Sequence, residues 1–363
     1  MIENLDEIRS QLDRIYASMN REKILEMLKA HSNGMKDLSL SLAIIENGRI
    51  QCYYYNGESL TEEVPRLIYE IGSVTKTFTA ALLMKMISEG MLNLSDSIDR
   101  YLPEVQWPDQ TSVPTVLQLV THTSGIGNDI ECASEEARAD LEDRLSKFSG
   151  DFEDDCIYGY LDRNDYIETL RSIDWTDVRH DFQYSNIGVI ILGIVMERAS
   201  GVSYESMMER FIMEELSLSH TWLDIPSEFP DGYQLARPCG TDQTEKKHWI
   251  WNYRIGMAAG GIYSTLEDIV AYAKSYLNDA PTYLKNTHIR QLAYSEADHF
   301  GIAVSWIKEG NITWHNGATG CFHSFIGFNK KEKTAVVILE NHHEVNDMSI
   351  DIIGKEIIKN KGR

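Results

Sequence analysis

The sequence is short of positive charge. Its 34 lysines and arginines stand against 56 aspartates and glutamates, a formal net charge of −22 over 363 residues. Such a surface repels phosphate backbones and anionic lipid, and no Lys/Arg run with interleaved aromatics offsets it locally, so nucleic acid is not an expected partner. Cysteine is scarce too: five residues, at 52, 132, 156, 239 and 321, odd in number and without close metal-type pairing. That argues against a disulfide framework and fits reduced thiols. No apolar run approaches a membrane-spanning length, and the N-terminus lacks the uninterrupted apolar segment and small-residue cleavage site of a secretory leader. The expectation is a cytoplasmic protein with no membrane span. Internal repeats and low-complexity tracts are absent as well.

What is present is a hydrophobic content of 43%, enough for a large core and more than one folding unit. Leu5, Ile8, Leu12 and Ile15 recur at helical spacing among charges, predicting an N-terminal amphipathic helix. "LSLSLAIIENGRIQCYYYNG" predicts two strands joined at Asn47-Gly48, because that pair supplies the positive φ angles of a tight hairpin. "HFGIAVSWIKEGNITWHNG" and "FHSFIGFNKKEKTAVVILEN" predict further hairpins, and "MSIDIIGKEIIKNKGR" a closing helix. The middle is dominated by helical patterns: "VPTVLQLVTH", "SNIGVIILGIVMERASG" and "SYESMMERFIMEEL". The expected architecture is α+β, with residues 1–70 and 254–363 building an α/β antiparallel sheet domain, residues 71–253 a mainly helical domain, and the site between them. The acidic stretch "SGDFEDDCIYGYLDRND" lacks regular oxygen-ligand spacing and reads as a solvated loop, not a calcium site.

Three short stretches carry chemistry. In "GSVTKTFTAALLMKMI", Ser73 and Lys76 sit one turn apart at the start of an apolar helix and share a face. Unpaired N–H groups at such a terminus favour negative charge developing on an oxygen, and a desolvated Lys76 has its ammonium form disfavoured, so a neutral amine can take the serine proton. The alternative is an N-cap serine beside a lysine that snorkels to solvent. A second match, Ser305 to Lys308, is expected in a strand, where residues three apart point to opposite faces. In "DFQYSNIG", Tyr184 and Asn186 open another apolar helix, and the alternative is a half-buried tyrosine with Asn186 as helix cap. The Tyr54 to Asn56 and Tyr276 to Asn278 matches have turn and capping explanations. In "ITWHNGATG", His315 follows strand residues, and Gly317 allows close approach to the strand edge.

The ordered set Ser-x-x-Lys, Tyr-x-Asn, His-x-Gly resembles the serine β-lactamase and penicillin-binding-protein superfamily. In particular it looks like the class C β-lactamase branch with its D-aminopeptidase, D-alanyl-D-alanine carboxypeptidase and esterase relatives. "EIGSVTKTFTAALLMKMISEGMLNLSDSIDRYLPE", "LQLVTHTSGI", "YSNIGVIILGIVMERASG" and "AAGGIYSTLEDIVAYAKSYL" also look like segments of that family, in the family order, and together span most of residues 36–350. The resemblance implies a class C β-lactamase-like (DD-peptidase/transpeptidase-like) fold. It implies Ser73 as acylated nucleophile, Lys76 as its activator, Tyr184 as proton shuttle, Asn186 as the residue that orients Lys76 and the substrate amide, and His315 near Tyr184 and the leaving group. The backbone N–H groups of Ser73 and Ala318, beside Gly317, would form the oxyanion hole. No cofactor and no metal are implied.

Departures from the family pattern bear on substrate. His315 replaces a lysine that is permanently charged in many β-lactamases, so attraction for a β-lactam carboxylate is weaker. Cys321 stands where glycine is usual. The stretch after "HTSGI", residues 128–165, is an enlarged insertion, and "VRHDFQYSN" lacks the usual Pro-Gly turn. His122 in "THTSGI" is expected to be structural, since triads are recognised by geometry and not by sequence proximity. "NHHE" at 341–344 reads as a polar turn, not a zinc site. The expected activity is hydrolysis of an amide or ester, a D-amino-acid peptide or small ester, through an acyl-Ser73 intermediate. The alternatives are a modest β-lactamase, an acyltransferase on the same site, or a non-catalytic penicillin-binding sensor. Oligomeric state is not legible.

Overall fold

A computed structural model of the chain describes residues 21–107, 113–146, 157–226, 228–239, 253–289, 291–295, 300–342 and 348–361. Among the described residues, nine strands form one antiparallel sheet. In chain order the strands of the fold are β1 (Leu40–Glu46), β2 (Arg49–Tyr55), β3 (Leu60–Thr61), β4 (Leu67–Glu70), β5 (Gln234–Leu235), β6 (Tyr263–Thr265), β7 (Leu292–Ser295), β8 (Phe300–Ile302), β9 (Ile307–Glu309), β10 (Ile312–Ala318), β11 (His323–Asn329) and β12 (Thr334–Glu340). The sheet order is β3-β2-β1-β12-β11-β10-β9-β8-β7, and β5-β4-β6 form a separate small sheet. The β1–β12 pairing, with Leu40 opposite Glu340 and Glu46 opposite Thr334, joins the two ends of the chain.

The first hairpin turns at Asn47 and Gly48, both at positive φ, as the Asn-Gly pair predicts. Strands β1 and β12 read as continuous apolar runs because both faces of the sheet are covered. Leu42, Ile44, Val336 and Ile338 point to one core, Ala43, Ile45, Val337 and Leu339 to the other. Helices are α1 (Thr75–Ser88), α2 (Val116–Val120), α3 (Glu135–Ser146), α4 (Arg163–Ser172), α5 (Asn186–Ser200), α6 (Tyr204–Arg210), α7 (Met257–Gly260), α8 (Leu266–Asn278) and α9 (Ile350–Lys361). Ile350, Ile353 and Ile357 of α9, together with Ile24 and Leu28 from the helical stretch 21–32, close the first core. Helices α1, α5 and α8 fill the second, each fully buried Leu, Ile or Phe contributing about 1.5–3 kcal/mol.

Among the described residues no single helix is long and apolar enough to cross a bilayer. Ile187 to Met196 of α5 are buried in the protein core instead. Cys52, Cys132, Cys239 and Cys321 carry free thiols. The helix expected around Leu5, Ile8, Leu12 and Ile15 lies outside the described residues, as do His343 and Glu344 of "NHHE".

Two local readings change. The described end of the acidic stretch is not a solvated loop. Ile157–Tyr160 form a 3₁₀ turn, and Asp162 and Asp165 cap α4 reciprocally, Asp162 Oδ1 accepting from Asn164 and Asp165 N–H groups while Asp165 accepts from Asp162 N–H at 2.7 Å. Their carboxylates are thus spent on orphan backbone donors and on Arg144 of α3, whose guanidinium reaches both Asp165 oxygens at 2.5 and 2.9 Å. Ser305, likewise, is not in a strand. It lies in a bend at φ +54° before β9, its hydroxyl bonding the Val120 carbonyl at 3.3 Å, while Lys308 reaches Thr313 at 2.5 Å. The conclusion that Ser305 and Lys308 do not cooperate stands on this different geometry.

Candidate active site

Strand β4 runs into Ile71, and a 3₁₀ turn, Gly72–Val74, carries Ser73 into α1. The turn lies against β10. Strand β9 pairs with β10 only from Ile312 to Trp314, so among the described strands the half of β10 from His315 to Ala318 keeps one edge unpaired. Backbone meets backbone there. A Cβ on Gly317 would stand 2.0 Å from the Ile71 carbonyl oxygen and 2.8 Å from the Ser73 nitrogen. One on Gly72, at φ +48°, would stand 2.7 Å from the Ala318 nitrogen. Only glycine fits at both positions, and the Ser73 and Ala318 amides are thereby brought to one place.

Lys76 is fully buried, since α1 is buried throughout from Thr75 to Met84 and leaves its side chain no route to water. Its Nζ lies 2.9 Å from Ser73 Oγ and donates to the Ala259 carbonyl at 2.6 Å. Burial holds its pKa well below the ordinary lysine range. Tyr184 is hydrogen-bonded to Ser73 through its side chain, and burial raises its pKa against that bond, so the neutral phenol is favoured. The Lys76 ammonium position sits 5.0 Å above the Tyr184 ring centre.

Tyr184 is held through its backbone by the loop after α2. Asn128 Nδ2 donates to the Tyr184 carbonyl at 2.9 Å, and Asn128 Oδ1 accepts from Asn186 N–H at 2.7 Å. Ser185, not Asn186, is the N-cap of α5: its Oγ accepts from Gly188 N–H at 2.8 Å and donates to the Gly127 carbonyl at 2.9 Å. Serine takes this position because its side-chain oxygen reaches the third helical N–H.

Two histidines flank Tyr184 with opposite tautomers. His122 Nδ1 accepts from Ser185 N–H at 3.2 Å, which places its proton on Nε2, a buried atom with no hydrogen-bond partner among the described residues. His315 Nδ1 lies against the Asn316 carbonyl, an acceptor only, so Nδ1 carries the proton and Nε2 a lone pair. Ring centroids are 4.4 Å from Tyr184 for His122 and 6.3 Å for His315. Burial, reinforced by any charge on Lys76, lowers His315 to about 4 and His122 well below its usual range. The centre of the site is therefore built for neutral forms.

The sequence-predicted set of Ser73, Lys76, Tyr184, His315, Gly317 and Ala318 converges. Asn186 sits beside it but does not meet Lys76: its Nδ2 donates to the Tyr158 hydroxyl at 3.0 Å. Sequence reasoning missed Tyr158 and the Ala259 carbonyl, which takes the Lys76 bond across 183 residues of chain. Among the described residues no group of three or more His, Cys, Asp or Glu side chains has the arrangement to hold a metal ion.

The sequence matches the beta-lactamase family over residues 29–352. It is 24% identical to protein Flp of Staphylococcus aureus (strain N315) over 94% of this chain, and spans 66%, just under two thirds, of that relative's length. It is 26% identical to a beta-lactamase of Providencia stuartii, covering 89% of this chain and 87% of the relative. Among solved structures, the octameric penicillin-binding protein homologue from Pyrococcus abyssi superposes with a TM-score of 0.69 at 22% identity, covering 95% of this chain and 77% of that one. A class C beta-lactamase in complex with cefoxitin gives 0.69 at 19%, covering 94% and 99%. The nine-stranded antiparallel sheet with its helices is a class C beta-lactamase-like fold, and the chain belongs to the beta-lactamase family.

Proposed function

We propose that the protein is a serine hydrolase that cleaves an amide or ester, a D-amino-acid peptide or a small ester by preference, through an acyl-Ser73 intermediate. The observation that carries this reading is a fully buried Lys76 with Nζ 2.9 Å from Ser73 Oγ. With one N–H held by the Ala259 carbonyl, the neutral amine turns its lone pair to the serine and takes its proton as Oγ attacks the substrate carbonyl carbon. The tetrahedral oxyanion is received by the Ser73 and Ala318 N–H groups, each such donor contributing about a hundredfold or more in rate. Collapse breaks the bond to the leaving group, which takes a proton from the Tyr184 phenol, and Lys76 returns a proton to Tyr184. Water then repeats the sequence on the acyl-enzyme and frees Ser73.

The substrate preference is supported by two features. The unpaired edge of β10 offers N–H and C=O groups to an extended peptide. A neutral His315 supplies no fixed cation for the carboxylate of a β-lactam. On this reading the chain divides into a sheet part, 1–70 and 254–363, and a helical part, 71–253, with the cleft in the seam.

The test is intact-mass spectrometry after exposure to a fluorophosphonate and, separately, to a penicillin, on the wild type, Ser73→Ala and Lys76→Ala. Turnover of nitrocefin, p-nitrophenyl acetate and D-alanyl p-nitroanilide is followed in parallel. One adduct on Ser73, absent in Ser73→Ala, and a loss of about 10²–10⁴-fold in acylation rate in Lys76→Ala are expected. A wild type that forms no adduct and turns over nothing would overturn the reading, and a stable adduct without turnover would replace it with a penicillin-binding sensor.

A further inference from the structure

The Ile157–Tyr160 turn lies in the last part of the insertion that follows the His122 loop, and it brings Tyr158 to Asn186. The Tyr158 ring is half-buried and stacks on Tyr253, centroids 5.8 Å apart and planes within 11°. Its Cβ presses on Gly256, where a methyl group would come within 3.2 Å. Tyr253 is fixed in turn, because its hydroxyl and ring occupy the space a Cβ on Gly260 would need, 2.4 Å away. Gly260 follows Ala259, the residue whose carbonyl holds Lys76. Two parallel rings thus form a wall from the anchor of Lys76 to the carboxamide of Asn186.

That wall has a chemical and a steric consequence. A carboxamide has two donors and one acceptor, and rotation about its last bond exchanges them. With Nδ2 committed to the Tyr158 hydroxyl, the orientation of Asn186 is set before substrate arrives. A stacked pair backed by glycine contacts also cannot retreat, so it limits what fits beside it.

We infer that Tyr158 is a specificity-determining residue of the proposed hydrolase, fixing the Asn186 carboxamide and, with Tyr253, limiting the size of the group accepted beside that carboxamide. The inference rests on the reading of Ser73 as nucleophile. It assigns to the enlarged insertion a direct part in substrate choice.

The experiment compares wild type, Tyr158→Phe and Tyr158→Ala on p-nitrophenyl esters from acetate to octanoate, with fluorophosphonate labelling of Ser73 scored by mass. In Tyr158→Ala the octanoate-to-acetate ratio of kcat/KM rises by about tenfold or more. In Tyr158→Phe the ratio holds, while kcat/KM falls about 2–10-fold for every ester, the loss of one neutral hydrogen bond. A merely structural role lowers all esters together in both variants and leaves the ratio unmoved. Tyr158→Leu serves for Tyr158→Ala if the alanine chain does not fold. An unchanged ratio in a truncated variant whose Ser73 still labels overturns the inference and leaves the hydrolase reading intact. A wild type that neither labels nor turns over any ester overturns both.

Discussion

At the scale of the residue, the site is a set of groups whose neutral forms are enforced by burial. His315 illustrates the sign of the consequence. Its folded pKa of about 4 lies below the ordinary histidine value of 6.5, so between these pH values the unfolded chain binds more protons and stability falls as pH falls. At about 1.4 kcal/mol per pH unit the loss reaches roughly 3 kcal/mol by pH 4. Urea midpoints measured from pH 7 to pH 4 are expected to drop accordingly, and His315→Asn to flatten the slope. The glycines make a second prediction. Gly317→Ala sets a methyl group 2.0 Å from the Ile71 oxygen, which must force the two segments apart. A loss of about 1–3 kcal/mol in stability is expected by thermal melting. Turnover is expected to fall further than stability does, because the displaced segment carries the Ala318 N–H.

At the scale of the element, Ser73 and Tyr184 each ride on a helix entry, and the entries are fixed differently. The Ser73 turn is wedged between glycine contacts, whereas Tyr184 depends on the Ser185 cap and on the Asn128 bracket. Ser185→Ala is expected to cost about 1 kcal/mol in the melting curve and to lower kcat more than KM, since Tyr184 loses its register. Most elements were legible in the sequence. The Asn47-Gly48 hairpin, the β11–β12 pair, α1, α5 and α9 follow from period, turn chemistry and apolar runs, which are local properties. The unpaired half of β10 was not, because it is defined by where β9 stops. Nor were the partners of Lys76 and Asn186, since a backbone carbonyl 183 residues away and a tyrosine in an insertion leave no periodic mark. The alternative that made Asn186 the helix cap fails for a narrower reason: Ser185 and Asn186 are both good caps, and only the position of Gly188 N–H decides between them.

At the scale of the whole molecule, a buried charge cluster ties the two ends of the chain to the site. His31, in the helical stretch 21–32, meets Glu340 of β12 at 2.7 Å. His323 of β11 lies 3.4 Å from Glu340 and 3.5 Å from Asp351 of α9, and Asp351 accepts from Asn316, the neighbour of His315, at 2.8 Å. The carboxylates overcome the cost of burial and raise His323 to about 9, with His31 raised too. This stabilisation is complete below pH 6.5 and is lost as pH rises through about 9, the opposite of the His315 effect. The histidine contributions taken together are therefore greatest near pH 6.5, while Lys76, held neutral by burial, adds stability as pH rises and opposes the alkaline loss. Glu340→Gln is expected to cost about 3–5 kcal/mol and to flatten the alkaline limb in the same urea series. The pairing of β1 with β12 has one more consequence, for the order of events during synthesis. A growing chain holds β1 and β2 once Tyr55 has been made, yet β12, the strand that pairs with β1, does not begin until Thr334. Ser73 likewise precedes Ala318 by 245 residues (318 − 73), so the two amides that meet at the site can come together only after all of that intervening chain has been made.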